Sequence, residues 1–529
     1  MPVQAPDGAP DGWPDRDCAL IVDLRLAVLD QLDGWPRQPR GAAWSMMLSV
    51  EGKRSLLVAS NRGPVSLVAG ERGREEVRRG GGGLVSGMRS ALSSVDGLWV
   101  CAALNERERA AARRAPDGHL TEAGYDTGEL DVRMLALDAS TFARAYNGVA
   151  NSTIWFVNHL LYDTPNKPVF DAGWRRLWTA YERYNSAFAD ALAAESAESA
   201  KVLVQDYHLD LAPARLRALR PDLRIAHFTH TPWAPPDYYA MLPDDVGRDL
   251  LAGLLGADHL GFHTRRWALD FAACCERVLG CAVDRDALTV AWQDRTVRLG
   301  LHPLGTDAGE MRDRAGQPDA QAAYEHLSEL VGDRQVIARV DRTELSKNIV
   351  RGLLAYRELL RTRPEWRGGV VHVAYTYPSR HDLPEYREYT ASVQRLGREI
   401  EEEFGTDDWT PLLLEVANDY PGSLAALRLA HVLLVNPIRD GMNLVAKEGV
   451  VLSEPGCTVV LSREAGVADD YGEDAVLVNP YDISQTADAL HEALSMPERE
   501  RADRAGRLRA AATALPPDAW FARQLDALG

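Results

Sequence analysis

Short apolar runs of strand length alternate with helical stretches along most of this chain, and that alternation constrains the fold more than any other feature. In the first half the runs are SLLVAS, KVLVQDYH, RIAHFTHTPW, HLGFHT and RLGLHPLGTD; in the second they are RQVIARVD, GVVHVAYTY, LLLEVA, HVLLVNP, CTVVLS and AVLVNP. Most are rich in Val, Leu and Ile, as strands buried on both faces are. The alternation predicts an α/β protein whose parallel sheets carry helices on both faces.

Two such series in a chain of 529 residues predict two doubly wound domains, because a single core rarely serves so many residues. We place these domains at 53–310 and 311–505. The Gln-, Ala- and Asp-rich segment 313–330 is expected to link them. Residues 1–52, acidic and rich in Pro and Gly, are expected to form a poorly ordered leader.

Charge and composition argue against several classes of function. The formal net charge is −18, from 77 acidic against 59 basic residues, so the surface repels nucleic acid and anionic membranes. An anionic substrate would therefore need a local cluster of Arg and Lys. None of the six cysteines lies in a C-x-x-C pair, no run of 18 apolar residues predicts a membrane span, and the acidic N-terminus does not resemble a secretory signal. We expect a cytoplasmic protein.

In open α/β sheets ligands bind beyond the carboxyl ends of the strands, so the residues after each strand are the candidates for a site. Asn61 and Arg62 follow the first strand, and four glycines at 80–83 precede a helical pattern. An arginine fork can clamp a phosphate, and glycines let backbone N–H groups approach it. The glycines alone are also typical of a flexible turn, since they lack a full G-x-G-x-x-G pattern.

Two further strand ends carry Asp206-Tyr207-His208 and His227-Phe228-Thr229-His230. An Asp or His in this position can hydrogen-bond sugar hydroxyls. A metal site is the weaker interpretation, because no acidic or Cys partner lies at ligand spacing and residues three apart on a strand face opposite sides. Histidines of the core or of a loop are a further alternative.

Basic residues follow two strands of the second half. Arg342 and Lys347 stand five residues apart after RQVIARV, and Arg380 follows GVVHVAYTY. Such a pair can grip a diphosphate, which matters when the diphosphate leaves and gathers negative charge in the transition state. Solvated loop charges are the alternative interpretation.

The most specific signal is the run RDGMNLVAKE after HVLLVNP. Asp440 can accept hydrogen bonds from sugar hydroxyls, and Gly441 allows a tight turn whose N–H groups face a ligand. Glu448 lies one to two helical turns further on, where it could bind both hydroxyls of a ribose.

With these residues in place, the sequence resembles the trehalose-6-phosphate synthase family of retaining glycosyltransferases, from about Ser55 to Ala527. The motifs that carry the resemblance are SNRGPV, GGGGLVSG, YN…STIW, QDYHL, HTPW, RTELSKN, PSR and RDGMNLVAKE. It implies two Rossmann-like doubly wound domains facing across a cleft, the GT-B arrangement. It also implies that a C-terminal helix, 506–529, crosses back to the first domain.

The resemblance implies roles for individual residues. The expected catalytic residues are Arg342 and Lys347 on the donor diphosphate, with His230 and Asp440 on the donor glucose. The expected donor-binding set is Gly83, Arg342, Lys347, Asp440, Gly441, Met442, Asn443, Leu444 and Glu448. The expected acceptor-binding set is Arg62, Tyr146, Trp155, Asp206 and Arg380. The interval from Arg342 to Arg380 matches the family without a gap, which favours Arg342 over Arg339 as the diphosphate arginine.

The implied reaction moves glucose from a nucleotide-glucose onto glucose 6-phosphate with retention, giving α,α-trehalose 6-phosphate. Arg342 and Lys347 would supply the charge that a metal supplies elsewhere, so no metal or cofactor is expected. The expected partners are these small substrates, and the oligomeric state stays open, a homo-oligomer included. The sequence slightly favours GDP-glucose over UDP-glucose, because this Ala- and Arg-rich chain resembles relatives from high-GC bacteria.

Three positions depart from the family. Relatives often carry a second Trp soon after the one at Trp99, where this chain has Ala102; Gln205 stands where His is common; and His230 precedes Thr-Pro-Trp instead of Ile-Pro-Phe. The missing Trp keeps two transferases of the same fold as alternatives, a glucosylglycerol-phosphate synthase and a pseudo-glycosyltransferase. A non-catalytic sugar-phosphate sensor is the alternative from another class, and the intact charged residues argue against it.

Overall fold

The computed structural model describes residues 53–70, 75–79, 92 and 97–529. The strands of this part of the chain are β1 (Arg54–Ser60), β2 (Val65–Ala69), β3 (Glu75–Arg79), β4 (Gly97–Ala102), β5 (Asp131–Leu135), β6 (Ser196–Gln205), β7 (Arg224–Thr229), β8 (His259–Phe262), β9 (Val283–Asp284), β10 (Thr289–Trp292), β11 (Arg295–Leu301), β12 (Gln335–Arg342), β13 (Val370–Tyr377), β14 (Leu412–Glu415), β15 (Val432–Val435), β16 (Thr458–Ser462) and β17 (Val476–Val478). They form two large sheets and one hairpin, β2-β3.

The first sheet has the strand order β5-β4-β1-β6-β7-β8-β11-β10-β9. Its strands are parallel from β5 through β11, whereas β10 and β9 join the edge as antiparallel strands. The predicted parallel arrangement is therefore found from β5 through β11, and this edge departs from it. Only a two-residue turn separates β10 from β11, and so short a connection can join antiparallel strands alone.

The second sheet is parallel throughout, in the order β14-β13-β12-β15-β16-β17. In both sheets the chain begins in the middle and then changes direction. The first strand β1 lies between β4 and β6, and likewise β12 lies between β13 and β15. Each reversal opens a crevice at the carboxyl ends of the two central strands, which is where such sheets bind ligands.

Helices cover both sheets. The α-helices are Glu106–Arg114, Ala139–Ala143, Trp155–Asn158, Ala172–Glu195, Ala212–Leu219, Pro236–Tyr239, Asp244–Leu254, Arg265–Cys274, Ala308–Ala315, Pro318–Val331, Ile349–Thr362, Pro384–Phe404, Tyr420–Leu429, Leu444–Leu452, Ala468–Tyr471, Ile483–Ser495, Glu498–Ala512 and Pro517–Asp526. Two π-helical segments span Arg144–Ile154 and Cys275–Leu279. Within the described ranges, none of the helices combines the length and the apolar character needed to cross a membrane.

Residues 313–330, expected to be a linker, are packed structure instead. They belong to the helices Ala308–Ala315 and Pro318–Val331, with Pro318 at the first position of the second helix, where its missing N–H costs nothing. Ala320 and Leu327 are buried in the core of the second sheet. The helix therefore belongs to the second half of the protein.

The helix Pro517–Asp526 packs on the first sheet. Trp520 and Phe521 are fully buried there, in a cluster that includes Val58 and Phe228. The Trp520 indole also donates to the carbonyl of His302 at 2.8 Å. The domain limits at 310 and 505 stay predictions.

The two segments that cross between the sheets run side by side. The Gly305 N–H donates to the Leu515 carbonyl at 2.8 Å, and the Thr306 N–H donates to the Ala512 carbonyl at 3.0 Å. The outgoing and returning chains are thus joined by backbone hydrogen bonds.

Candidate active site

One residue from each of the four candidate clusters lies at a point where the strand order of a sheet reverses. Arg62 follows β1 and Asp206 follows β6, the pair at which the strand order of the first sheet reverses. Arg342 ends β12 and Asp440 follows β15, the central pair of the second. Strand order alone therefore places these four residues at the two ligand-binding crevices.

Lys347 and Asp440 form a partly buried ion pair in the crevice of the second sheet. Lys347 Nζ donates to Asp440 Oδ2 at 2.6 Å, and Asn443 Nδ2 donates to the same oxygen at 3.1 Å. Burial disfavours the charged form of each group, but the opposite charge of its partner favours that form more strongly. The pKa of Asp440 is therefore lowered and the pKa of Lys347 is raised. Both groups are therefore charged at neutral pH.

Two arginines of β12 differ in what they contact. Arg339 is fully buried, with Nε 2.9 Å from Asp341 Oδ2, and its Nη2 donates to the Lys347 carbonyl at 2.5 Å. The Arg342 guanidinium instead lies over the Trp155 ring, 5.9 Å from its centroid. Arg339 thus braces the turn that carries Lys347, and the difference favours Arg342 as the ligand-binding arginine, as the sequence did.

Glu344 contacts two of the predicted arginines. Its Oε1 lies 3.1 Å from Arg342 Nη1 and 3.8 Å from Arg380 Nε, and it accepts a hydrogen bond from Ser379 Oγ at 2.7 Å. Burial alone would raise the pKa of this carboxyl, but the cations of Arg342 and Arg380 lower it to about 2. The sequence-based prediction missed Glu344, although an acid between two candidate basic residues was an available signal.

Arg380 reaches from the second half of the protein into the first. Its guanidinium lies 3.9 Å from the centroid of the Trp155 ring, and it donates to the Tyr386 hydroxyl at 2.8 Å and to the Tyr207 hydroxyl at 3.1 Å. Its φ of 50° is a left-handed conformation, which the surrounding contacts must hold. In the described part of the chain, the buried Trp155 Nε1–H has no acceptor. The stacked pair thus offers donors for a polar ligand.

Three of the predicted acceptor residues surround one histidine. Tyr146 stacks on His208 with ring centroids 5.4 Å apart. Burial, together with the nearby cations of Arg380 and Arg62, lowers the pKa of His208 to about 3. Tyr146 lies on the π-helix Arg144–Ile154, which was not predicted; such segments are frequent at functional sites.

Asp206 lies next to this group. Its φ is 71°, its Oδ1 accepts the His230 N–H at 3.2 Å, and its Oδ2 lies 4.0 Å from His208 Nδ1. Burial raises the pKa of Asp206 to about 6, although backbone N–H groups and the cation of Arg380 oppose that shift. The strained backbone and the costly carboxylate both point to a side chain kept for a ligand.

The raised pKa predicts that Asp206 costs stability at neutral pH. The ordinary pKa of this carboxyl is 3.8 and its pKa in the folded protein is about 6, so the folded state holds the proton more tightly than the unfolded state does. The protonated carboxyl therefore contributes fully to the stability of the fold below pH 3.8, and this contribution is lost as the pH rises through 6. The cost at neutral pH is about 3 kcal/mol. We therefore expect Asp206→Asn, which cannot ionise, to gain thermal stability relative to the unmodified protein between about pH 4 and pH 7. Calorimetric unfolding temperatures that keep a constant difference would contradict this.

The side chains of His230 and His227 contact different groups. His230 Nε2 lies 3.0 Å from Gln205 Oε1, and burial lowers the pKa of His230 to about 3, so the ring is neutral. His227 Nε2 lies 3.3 Å from the Asp206 carbonyl and 3.5 Å from Asp210 Oδ1. Within the described ranges, no three His, Cys, Asp or Glu side chains are grouped as metal ligands would be.

The turn at Gly441 packs directly against the first half of the protein. A Cβ on Gly441 would lie 1.8 Å from the His230 carbonyl oxygen, so only glycine fits. The Trp267 indole donates to the Gly441 carbonyl at 3.0 Å. Asn443, with φ of 77°, caps the helix Leu444–Leu452 with its side chain. This helix therefore begins at the contact between the halves.

The remaining donor residues line the start of that helix. Met442 is buried in the second core, and Leu444 packs against both that core and the cluster on the first sheet. Glu448 is buried. The pKa of Tyr377 is raised, first by the burial of Tyr377 and second by the negative charge of Glu448. Gly83 lies outside the described residues.

Comparisons with known proteins agree with the resemblance. Residues 54–529 match the model of glycosyltransferase family 20. A trehalose-6-phosphate synthase of Mycobacterium tuberculosis is 33% identical over 489 residues, 90% of this chain and 95% of that protein. A bifunctional trehalose-6-phosphate synthase/phosphatase of Thermoproteus tenax is 33% identical over 468 residues, 85% of this chain, and this chain spans 60% of its length.

A solved structure shares the fold. A crystal structure of an alpha,alpha-trehalose-phosphate synthase (UDP-forming) from Burkholderia vietnamiensis matches with a TM-score of 0.78 and 29% identity, over 90% of this chain and 97% of that one. The predicted GT-B arrangement of two Rossmann-like sheets is confirmed. The chain belongs to glycosyltransferase family 20, the trehalose-6-phosphate synthase family.

Proposed function

We propose that this protein transfers glucose from a nucleotide-glucose to glucose 6-phosphate with retention, forming α,α-trehalose 6-phosphate. The observation that carries the proposal is the meeting of two charged groups across the halves. One is the Lys347–Asp440 pair, and the other is Arg380 stacked on Trp155 near Asp206. The first suits a sugar diphosphate and the second a sugar phosphate. The names of the similar proteins support the same reaction.

On the donor side, the diphosphate binds to Arg342 and Lys347, with the backbone of Gly83. Asp440 and the N–H groups of the turn after it hold the glucose hydroxyls. Glu448, buried one helical turn beyond the start of its helix, accepts hydrogen bonds from the ribose. Fixed charges in a buried crevice stabilise a leaving diphosphate far better than solvated ones.

On the acceptor side, the phosphate of glucose 6-phosphate binds between Arg62 and Arg380. Both cations act on His208, which supports their convergence on one point. The Tyr146 and Trp155 rings wall the same space. Asp206 accepts hydrogen bonds from the sugar hydroxyls, which repay the cost of its buried charge.

The chemistry proceeds on one face of the donor sugar. The C1–O bond to the diphosphate breaks while the acceptor oxygen bonds to C1, and the hydroxyl proton passes to the leaving phosphate oxygen. No protein base is then required, and configuration is retained. The protein supplies positioning, exclusion of water and positive charge on the leaving group. His230, neutral because it is buried, can hydrogen-bond the donor glucose without adding positive charge near C1.

The nucleotide of the donor is part of the same test. The sequence slightly favours GDP-glucose, whereas the Burkholderia protein is UDP-forming by name, and we propose UDP-glucose on that support. Purified protein is incubated with glucose 6-phosphate and UDP-, GDP- or ADP-glucose, with measurement of nucleotide release and identification of the product. Trehalose 6-phosphate from one donor would establish both the reaction and the nucleotide. Absence of product with all three would overturn the proposal.

Ala102 supports a second candidate function. Its N–H donates to the Asn61 carbonyl at 3.2 Å, so the departure from the family lies beside the turn that carries Arg62. A small side chain at this buried position would leave more room beside that turn than a tryptophan does. A glucosylglycerol-phosphate synthase would use glycerol 3-phosphate, and the same assay with this acceptor separates the two.

The Arg380→Lys variant is expected to raise the KM for glucose 6-phosphate about 10- to 100-fold, with little change in the KM for the donor. Lysine keeps the charge but loses the fork that reaches Tyr207 and Tyr386. Initial rates at varied acceptor and at varied donor check this. Arg398→Lys, on an exposed site of the helix Pro384–Phe404, is the matched control. An equal rise in both KM values would contradict the assignment.

A further inference from the structure

We propose that the protein carries a second anion-binding site, apart from the proposed active site, for a small ligand with two phosphate groups. The site is a cavity of about 400 Å³ in the second half of the protein, whose lining includes Arg312, Arg428, Arg509 and Glu454. This volume is within the range of small-molecule sites. The inference goes beyond the proposed glucosyl transfer and does not depend on it.

Two of the three arginines form no ion pair within the described ranges. Within the described ranges, the Arg509 side chain makes one hydrogen bond, from Nε to the Val450 carbonyl at 3.1 Å, which leaves both of its terminal nitrogens for a ligand. The exposed Arg312 side chain makes neither a hydrogen bond nor an ion pair with any residue of the described ranges. Both guanidinium groups are therefore open to an anion.

The third arginine, Arg428, forms an ion pair with the acid that lines the cavity, Glu454. Arg428 Nη2 lies 2.7 Å from Glu454 Oε1, and the Tyr324 hydroxyl donates to Glu454 Oε2 at 2.8 Å. Glu454 is the only acid among the described residues that line the cavity. Because Arg428 pairs with it, the charges of Arg312 and Arg509 are not compensated.

The chemistry of these groups selects the ligand. A guanidinium fork matches two phosphate oxygens, and two separate forks match two phosphate groups. The chain as a whole has a net charge of −18, so an anion needs a local group of cations, which Arg312 and Arg509 supply at this cavity. A diphosphate, free or esterified, fits this arrangement.

The cavity also lies where the two halves are connected. Arg312 is on the helix Ala308–Ala315, just after the chain leaves the first sheet, and Arg509 is on Glu498–Ala512, just before it returns. Both helices pack against Leu444–Leu452, whose first turn belongs to the proposed donor site and whose last residues line the cavity. A bound diphosphate would hold the two crossing segments together.

The test is a calorimetric titration of the full-length protein with inorganic pyrophosphate at low salt. We expect binding at two sites, the proposed active site and the cavity. The Arg312→Gln/Arg509→Gln variant should lose affinity at one of them by about tenfold or more. Arg499→Gln, an exposed arginine of the same helix Glu498–Ala512, is the control and should bind as the unmodified protein does.

Equal affinity and stoichiometry in the double variant and the unmodified protein would overturn the proposal. If the double variant does not fold, Arg312→Gln alone, at an exposed side chain, carries the same test. Turnover without pyrophosphate is measured separately. A protein that made no trehalose 6-phosphate would leave the titration valid, so the two proposals can fail independently.

Discussion

Replacing Lys347 with alanine is expected to lower the turnover number about 100- to 1000-fold. Its ammonium group is partly buried in the crevice of the second sheet, 2.6 Å from Asp440 Oδ2. The charge of a leaving diphosphate grows toward the transition state, so a fixed cation stabilises that state more than the bound donor. Turnover should therefore fall much more than the KM for the nucleotide-glucose rises.

The same variant leaves the partly buried Asp440 without its ammonium partner, so stability must be measured beside activity. Initial rates are taken well below the unfolding temperature of the variant, determined calorimetrically. Lys53→Ala removes an exposed lysine before β1 and should keep normal turnover. Near-normal turnover of Lys347→Ala would exclude the role proposed for this lysine.

Gly441→Ala is expected to reduce kcat/KM by about 100-fold or more, by displacing the two halves relative to each other. The added Cβ would lie 1.8 Å from the His230 carbonyl oxygen, and that neighbour is backbone and cannot rotate away. Either the turn or the strand end must move, and both carry predicted donor residues. A shift of about 1 Å at a reacting centre is enough for such a loss.

Gly506→Ala is the matched control, because a Cβ at Gly506 meets no atom within 4 Å. Because Gly506 lies in the middle of the helix Glu498–Ala512, the alanine should stabilise the folded protein slightly and leave its activity unchanged. Steady-state kinetics of both variants, with circular dichroism to show retained folding, make the comparison. Full activity of Gly441→Ala would show that the halves do not need this contact for function.

The positions of Asp206 and Asp440 could be predicted because each lies in the loop that follows a buried parallel strand. A parallel sheet brings its ligands to one edge, so the position along the sequence is enough. The contact of Arg380 with Tyr207 could not be predicted in this way. It depends on how two separate sheets face each other, and no local pattern records that.

Two misses have local causes. The composition of residues 313–330 is typical of a linker, but Ala320, Leu327 and Val331 recur at helical spacing and are buried. Periodicity was the better signal there. The π-helix that carries Tyr146 had no such signal, because π-helical segments are rare and no known periodicity of the sequence marks them.

The packing of Trp520 and Phe521 on the first sheet has a consequence for biosynthesis. Strands β1 to β11 are synthesised first, and roughly 200 further residues are added to the chain between the end of β11 and Trp520. Until then, apolar side chains of the first sheet, Val58 and Phe228 among them, lack partners that the finished structure provides. The half of the protein that is synthesised first can complete its core only after the second half has emerged.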